Sequence, residues 1–372
     1  MRFNNALPVI AAICLSLAGC ASAPSKQASE PGQFSRLVQD WQVSGNKPAY
    51  PELWSAYVQT GQYENWLEQK NLRDALRSTD GEVACEGVDW NEISGLHFWS
   101  VSTHLDAADC LDRLGDSTAA DFHESAASML VTGMLGSGDG LSAATAFEVP
   151  VWSEADELLE LAGYELLDNY VELDAESGRL YYVLVGNQRD SGTQRHFYFQ
   201  NQQVLGRLLG VGEVSGEATG DLPMMQQVAF VAGIADQVYS AKLAWAEISK
   251  TAERYDIAEQ WYQNSIAAGG VVASYRLGLM CLERGMQEAG TCVDYLLDAA
   301  EMGYIPAVVA VAYAQREGLG VEADPLMAER LLAGARKRIQ PAAIERALAA
   351  VASARNYSLR AALDDGDVEP MP

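Results

Sequence analysis

Three stretches toward the C-terminal end of this chain repeat one another, and that repetition constrains the fold more than any other feature. The first runs Ala258, Trp261, Ser265, Gly269, Ala273; the second Cys292, Tyr295, Ala299, Gly303, Ala307; the third Ala328, Leu331, Ala335, Ile339, Ala343. Within each copy the steps are three, four, four and four residues, and successive copies are offset by 34 and then 36. Steps of three and four put small side chains on one helical face, where a second helix can approach closely. The glycine, or its equivalent, ends one helix, and the alanine four residues later begins packing in the next. Leu277-Gly278 after Ala273, and Val311-Ala312 after Ala307, continue the register.

Ahead of the third copy stands Gly318-Leu319-Gly320-Val321-Glu322-Ala323-Asp324-Pro325. A Gly-x-Gly before a helix can cradle phosphate, but a Walker loop needs Gly-Lys-Ser/Thr and a dinucleotide fingerprint needs a preceding strand; neither is present. The glycines suit a turn with positive φ, with Asp324 capping the next helix and Pro325 at its first position. The pattern Gly318-x-Gly320-Val321-x-x-Asp324, followed by Ala328 and Leu331, resembles the Sel-like repeat (SLR), the tetratricopeptide-related helical hairpin. It departs from that family where Leu331 replaces an aromatic and Ile339 replaces a glycine. The middle copy also departs, carrying the short Glu283–Gly290 connection in place of the Gly-x-Gly loop. The resemblance implies a mostly α protein, an α-α solenoid of hairpins of the tetratricopeptide and SLR type, suited to capturing protein or peptide.

At the other end, Arg2 precedes an apolar run from Ala6 to Ala18, short for a membrane span and shaped like a secretory signal. It closes with Leu17-Ala18-Gly19-Cys20, which resembles the bacterial lipobox. That resemblance implies cleavage before Cys20, lipidation of its thiol, and stable anchoring through several acyl chains. Ala21 stands where an Asp would imply inner-membrane retention, so the implied address is the outer membrane, lipid-anchored, on the periplasmic side. Residues 1–19 are thus expected as signal and 20–34 as the lipidated cysteine and a flexible Ala/Ser/Pro tether.

The formal net charge of −26 sets the chain against nucleic acid and anionic lipid as bulk partners. Against that background, Arg330, Arg336, Lys337, Arg338 and Arg346 form a local basic run, a candidate docking patch for an acidic partner or for a second copy of the chain. With Cys14 in the signal and Cys20 lipidated, Cys85, Cys110, Cys281 and Cys292 remain. An even number in an exported chain implies disulfides, and Cys281–Cys292 with Cys85–Cys110 is the simplest of three pairings. No pair has the two-residue spacing of a zinc site.

Residues 35–135 read as a tetratricopeptide-like helical region, with Trp41, Trp54, Tyr57 and Trp66 as packing residues and Leu114-Gly115-Asp116 as a hairpin turn before Ala120 and Ala127. Residues 136–221 read as a middle α+β segment: a helix over Ser153–Asn169, then a three-stranded antiparallel meander of Tyr170–Leu173, Arg179–Val185 and Gln194–Phe199. Helical repeats and a cap over Pro341–Leu363 fill 222–363, and 364–372 is an acidic tail.

Of the four histidines, His97 and His104 are seven apart and predicted to share a helical face, with His123 on an adjacent helix; a metal or general-base site there is weighed against simple packing. No Gly-x-Ser-x-Gly or Ser-x-x-Lys motif occurs, so no catalytic residue is assigned. Tyr181, Tyr182 and Arg195-His196-Phe197-Tyr198-Phe199 could stack carbohydrate or fill a sheet core. The expected function is a scaffold or adaptor for envelope proteins, with no cofactor and no metal. The alternative is an envelope hydrolase or carbohydrate-binding protein using the middle domain.

Overall fold

The computed structural model describes residues 32–60, 83, 85–90, 93, 95, 97–150, 152–174, 179–201, 240–285 and 289–364, with side chains to 355. The expected signal, Cys20, most of the tether, the short helix over Gln62–Gln69 with Trp66, the run from Leu222 to 239, and the tail beyond Asp364 lie outside those residues.

By contact density the chain divides at Gly61. The first unit holds α1 (Gln33–Ser44) and α2 (Tyr50–Val58). Gly45 closes α1 in the left-handed region, and Pro51 sits in the first turn of α2, where its missing N–H costs nothing. Phe34 meets Tyr57 edge-on at 5.3 Å, and Trp41, Trp54 and Tyr57 are buried as the sequence predicts.

The second unit opens with the hairpin of α3 (Val101–Arg113) and α4 (Ser117–Leu135). Its turn is the predicted one: Gly115 has φ 87°, and Asp116 accepts a hydrogen bond from the Ala119 amide. Ala107, Ala120, Ala126 and Ala127 lie buried in the hairpin.

Next come β1 (Phe147–Glu148), α5 (Trp152–Leu161), β2 (Tyr164–Leu173), β3 (Leu180–Gln188) and β4 (Gln194–Gln200). The sheet order is β1-β4-β3-β2, antiparallel throughout except that β1 runs parallel to β4. Two expectations are corrected here. The sheet is four-stranded and mixed, because Phe147–Glu148 pairs with Phe199–Gln200. The helix ends at Leu161, well short of Asn169: Gly163, at φ 80°, breaks it, and Tyr164–Asn169 is strand. A register shift between Leu166 and Asp168 disturbs the two-residue alternation, which made Glu165–Asn169 resemble a helix in sequence.

The last seven described helices are α6 (Ala241–Thr251), α7 (Tyr255–Ala267), α8 (Val271–Arg284), α9 (Ala289–Glu301), α10 (Ile305–Glu317), α11 (Pro325–Ala335) and α12 (Pro341–Asp364). From α6 to α11 each packs on its neighbour in sequence, whereas α12 packs on both α10 and α8. Most of α8 is buried, as its nearly uninterrupted apolar sequence requires. The sheet is covered on both faces. Trp152 and Asp156 of α5 meet Tyr182 on one side, while Tyr170, Tyr181, Val183 and Val185 join the core of α8 on the other. Among the described residues the chain is therefore mostly helical with one small mixed sheet.

Candidate functional site

The repeat signature folds into the interior seam. Ala258, Ala273, Ala299, Ala307, Ala328, Ala335, Leu277 and Gly278 are buried, with Trp261, Tyr295 and Leu331 half-buried against the same cores. Gly269 and Gly303 turn the chain between paired helices at φ 100° and 94°. Ile339, at the equivalent place in the third copy, has no positive φ and instead buries its side chain beside Ile344. Gly318 and Gly320 also lie in the left-handed region, and Asp324 accepts from the Met327 amide at 2.9 Å, so this loop is a capped turn. The two disulfides join Cys85 to Cys110 and Cys281 to Cys292.

Sequence reasoning missed how the sheet is seated on the helix starts. Asp168 is buried, and its Oδ2 accepts from the Val272 amide at the start of α8, 2.7 Å away. Gln194 is buried too: its Oε1 accepts from the Ile305 amide at the start of α10, and its Nε2 donates to the Gly303 carbonyl. The Gln194 amide donates to the Arg338 carbonyl, and Arg338 Nε donates to the Gly192 carbonyl. Strand side chains thus occupy orphan donors at two helix N-termini, where a carboxylate is also favoured by the helix dipole. Nothing in the sequence separates Asp168 from the neighbouring Glu165 and Glu172, so no local signal marks it.

This seat divides the basic run. Arg338 is held against the sheet, while Arg330, Arg336, Lys337 and Arg346 are exposed. Arg336 lies 4.0 Å from Glu329, a solvent-exposed pair of small energetic weight.

Where the sheet meets the helices, titratable groups converge around Arg276 of α8. Partial burial works to lower its pKa, but Glu247, Tyr170, Tyr304 and Glu172 outweigh it and hold the guanidinium charged. Its Nε lies 3.8 Å from Glu247 Oε1, and Tyr262 donates to the same oxygen at 2.7 Å. Burial pushes the Glu172 carboxyl up, with Arg276 opposing. Burial, Arg276 and Arg346 bring His196 down to about 4. Burial and Glu172 push Tyr198 up to about 12. His196 packs on Tyr304, and Tyr304 meets Tyr275 edge-on at 5.3 Å. Arg276 exposes 39% of its side chain and Glu247 35%, so the rim of this cluster reaches solvent. Phenols, a guanidinium and carboxylates together supply directional donors and acceptors for a polyhydroxylated or zwitterionic ligand. Tyr181, Tyr182 and Phe199, by contrast, are buried in the sheet core.

The histidines do not share a helical face as predicted. His97 lies in a turn before α3, whereas His104 of α3 meets His123 of α4 through their Nδ1 atoms at 2.8 Å. Among the described residues no group of three or more His, Cys, Asp or Glu side chains is placed to hold a metal ion. Among them, too, no helix is long and apolar enough to cross a membrane.

No protein-family model matches the chain, and no curated protein matches it. Among solved structures it is similar to a protective antigen present in uropathogenic Escherichia coli strains, described as displaying an SLR fold. The identity is 15% over 91% of this chain and 72% of that one, with a TM-score of 0.33.

Proposed function

We propose that the protein is an outer-membrane lipoprotein, facing the periplasm and anchored through Cys20, that serves as a scaffold or adaptor for an envelope assembly such as polysaccharide export or secretion. The observation that carries this reading is the run of packed hairpins from α6 to α11, with α8 buried and α7, α9 and α11 turning their polar sides outward. Such a stack is rigid, displays a surface much larger than one side chain can, and suits recognition of another protein. The lipobox-like Leu17-Ala18-Gly19-Cys20 and the two disulfides fit an exported, tethered chain. Exposed Arg330, Arg336, Lys337 and Arg346 supply the docking patch, toward an acidic envelope protein, a peptide or a second copy.

Crosslinking in intact cells, followed by mass spectrometry, tests the reading. Reversal of Arg330, Arg336, Lys337 and Arg346 to Glu is expected to remove the crosslinked partner, and Cys20→Ala to release the protein from the membrane fraction. A partner retained by the reversed variant removes the patch from the proposal.

The Arg276 cluster favours one second reading, a carbohydrate-binding or hydrolytic site built on the middle sheet. Calorimetry with envelope oligosaccharides against the wild type and Arg276→Gln decides it: heat that vanishes in the variant supports this reading, and no heat from the wild type removes it.

A further inference from the structure

The two disulfides sit in contrasting surroundings. Cys281 and Cys292 are both buried inside the core that α8 shares with α9. Cys110 is also fully buried, in a small cluster with Trp90, Ala107, Leu111 and Ala120, but Cys85 is only half-buried. Over that second bridge lies a cation. Arg113 Nη2 stands 2.8 Å from Cys85 Sγ and 3.5 Å from Cys110 Sγ, and Asp109 Oδ2, 2.6 Å from the same nitrogen, holds it in place.

We propose that Cys85–Cys110 is a thiol–disulfide exchange site, open to dithiol reductants, with Arg113 stabilising the departing thiolate. This inference is independent of the scaffold reading. The attacking thiolate approaches Cys85 Sγ, on the half-buried cysteine of the pair. A new S–S bond forms to Cys85, the Cys85–Cys110 bond breaks, and its electron pair leaves on Cys110 Sγ. In an apolar cluster that thiolate is a poor leaving group, because burial raises a thiol's pKa; a guanidinium at hydrogen-bond range reverses the effect. The second thiol of the reductant then attacks its own sulfur in the mixed disulfide and expels Cys85 as thiolate, also beside Arg113. The dithiol is oxidised to a cyclic disulfide, and Cys85 and Cys110 take up the two protons and two electrons. A lower leaving-group pKa speeds the first step, and Arg113 acts there as a positioning and charge-stabilising residue. Glu86 and Asp109 adjoin Cys85 and Cys110 in sequence, and this local negative charge favours a neutral dithiol over an anionic thiol such as glutathione.

The full-length oxidised protein is exposed to limiting dithiothreitol at neutral pH, quenched with iodoacetamide at intervals, and digested so that each bridge is followed separately by mass spectrometry. Cys85–Cys110 is expected to open about tenfold faster than Cys281–Cys292, and Arg113→Gln to slow it by about tenfold, as loss of a thiolate-stabilising cation does. Arg113→Lys keeps the charge and is expected to retain most of the rate. The Cys281–Cys292 rate in the same sample reports whether a variant is still folded, and the Cys85–Cys110 rate of each variant is read as a ratio to it. Equal opening of the two bridges in the wild type overturns the proposal, and so does an unchanged or faster Cys85–Cys110 rate in a folded Arg113→Gln protein.

Discussion

His104 donates its Nε2 hydrogen to the Phe98 carbonyl at 2.8 Å, and that one bond dictates the protonation of its partner His123. A carbonyl can only accept, so Nε2 of His104 carries the proton and Nδ1 of the neutral ring is a lone pair. His123 Nδ1, 2.8 Å away, must then be the donor, which leaves His123 Nε2 as a buried acceptor with no hydrogen-bond partner among the described residues. Both rings are fully buried. Desolvation, and for His104 also the charge of His123, brings them down to about 3 and about 4.

The pair should make stability fall in mild acid. Each folded-state pKa lies below the ordinary value of 6.5, so below that pH the unfolded chain binds protons that the folded one refuses. Stability is complete above about pH 6.5 and is lost progressively down to about 3–4. At pH 5 each ring accounts for about 2 kcal/mol, an order-of-magnitude figure at 1.36 kcal/mol per pH unit. Urea unfolding at pH 7.5 and pH 5 checks it. His123→Asn, which keeps a donor toward His104 Nδ1, should remove about a third of the difference, because His196, also brought down to about 4, adds a similar share; identical pH dependence in wild type and variant would discard the pair as its source.

Close packing at Gly278 gives a second prediction. A Cβ there would meet Leu296 Cδ2 at 2.8 Å and the Cys292 carbonyl oxygen at 3.0 Å. Gly278→Ala is therefore expected to cost about 1–3 kcal/mol through overpacking of the seam between α8 and α9. Gly269 and Gly303 have open space where a Cβ would stand and only a positive φ, so Ala there should cost about 1–2 kcal/mol, from backbone strain alone. Thermal melts of the three single variants separate the causes: restoring volume with Leu296→Ala should partly rescue Gly278→Ala and leave the other two unchanged.

The seam was legible in the sequence because it depends on small residues at fixed spacing. Ser265, Ala299 and Ala335 recur in register, as do Ala258, Cys292 and Ala328, and a helix pair needs little more than that to approach closely. The sheet seat was not legible, since Asp168 and Val272 are 104 residues apart and nothing local ties a strand carboxylate to a distant helix start. Arg338 shows the same limit: in sequence it belongs to a basic run, and only the fold shows that Gly192 holds it. His97 and His104 had the right spacing for one helix, but α3 begins at Val101, capped by Ser100, so the face they were to share does not exist. The cluster around Arg276 draws on β2, β4, α6, α7 and α8, and no motif announces it.

Removing the sheet's grip on α8 should loosen both elements. Asp168→Ala strands the Val272 amide in a buried place and removes a charge favoured by the helix N-terminus, at a cost of about 1–3 kcal/mol. Asp168→Asn keeps an acceptor and loses only the charge, so its cost should be smaller, about 1 kcal/mol or less. Hydrogen exchange of the first amides of α8 is the readout. Protection at Val272 should drop in Asp168→Ala while α3 and α4 stay as they were; unchanged protection at Val272 would mean the contact does not hold the helix start.

The bridge inside the repeats carries the last prediction. Cys281 and Cys292 lie 11 residues apart on α8 and α9, so the bridge closes a short loop and removes limited freedom from the unfolded chain. Chain-entropy bookkeeping puts this at about 3 kcal/mol, and Ala at both positions also leaves the space of two buried sulfurs in the central core. The double Cys281→Ala/Cys292→Ala variant should therefore unfold at lower denaturant by about 3–5 kcal/mol. Its local signature should be faster amide exchange through α8 and α9, spreading to α12, which packs directly on α8. Because α8 also supports the sheet through Asp168 and Val272, exchange in β2 should rise with it, whereas α3 and α4 should not respond. Denaturant curves that overlay those of the wild type would show that close packing at Gly278, with no help from the bridge, holds the hairpin shut.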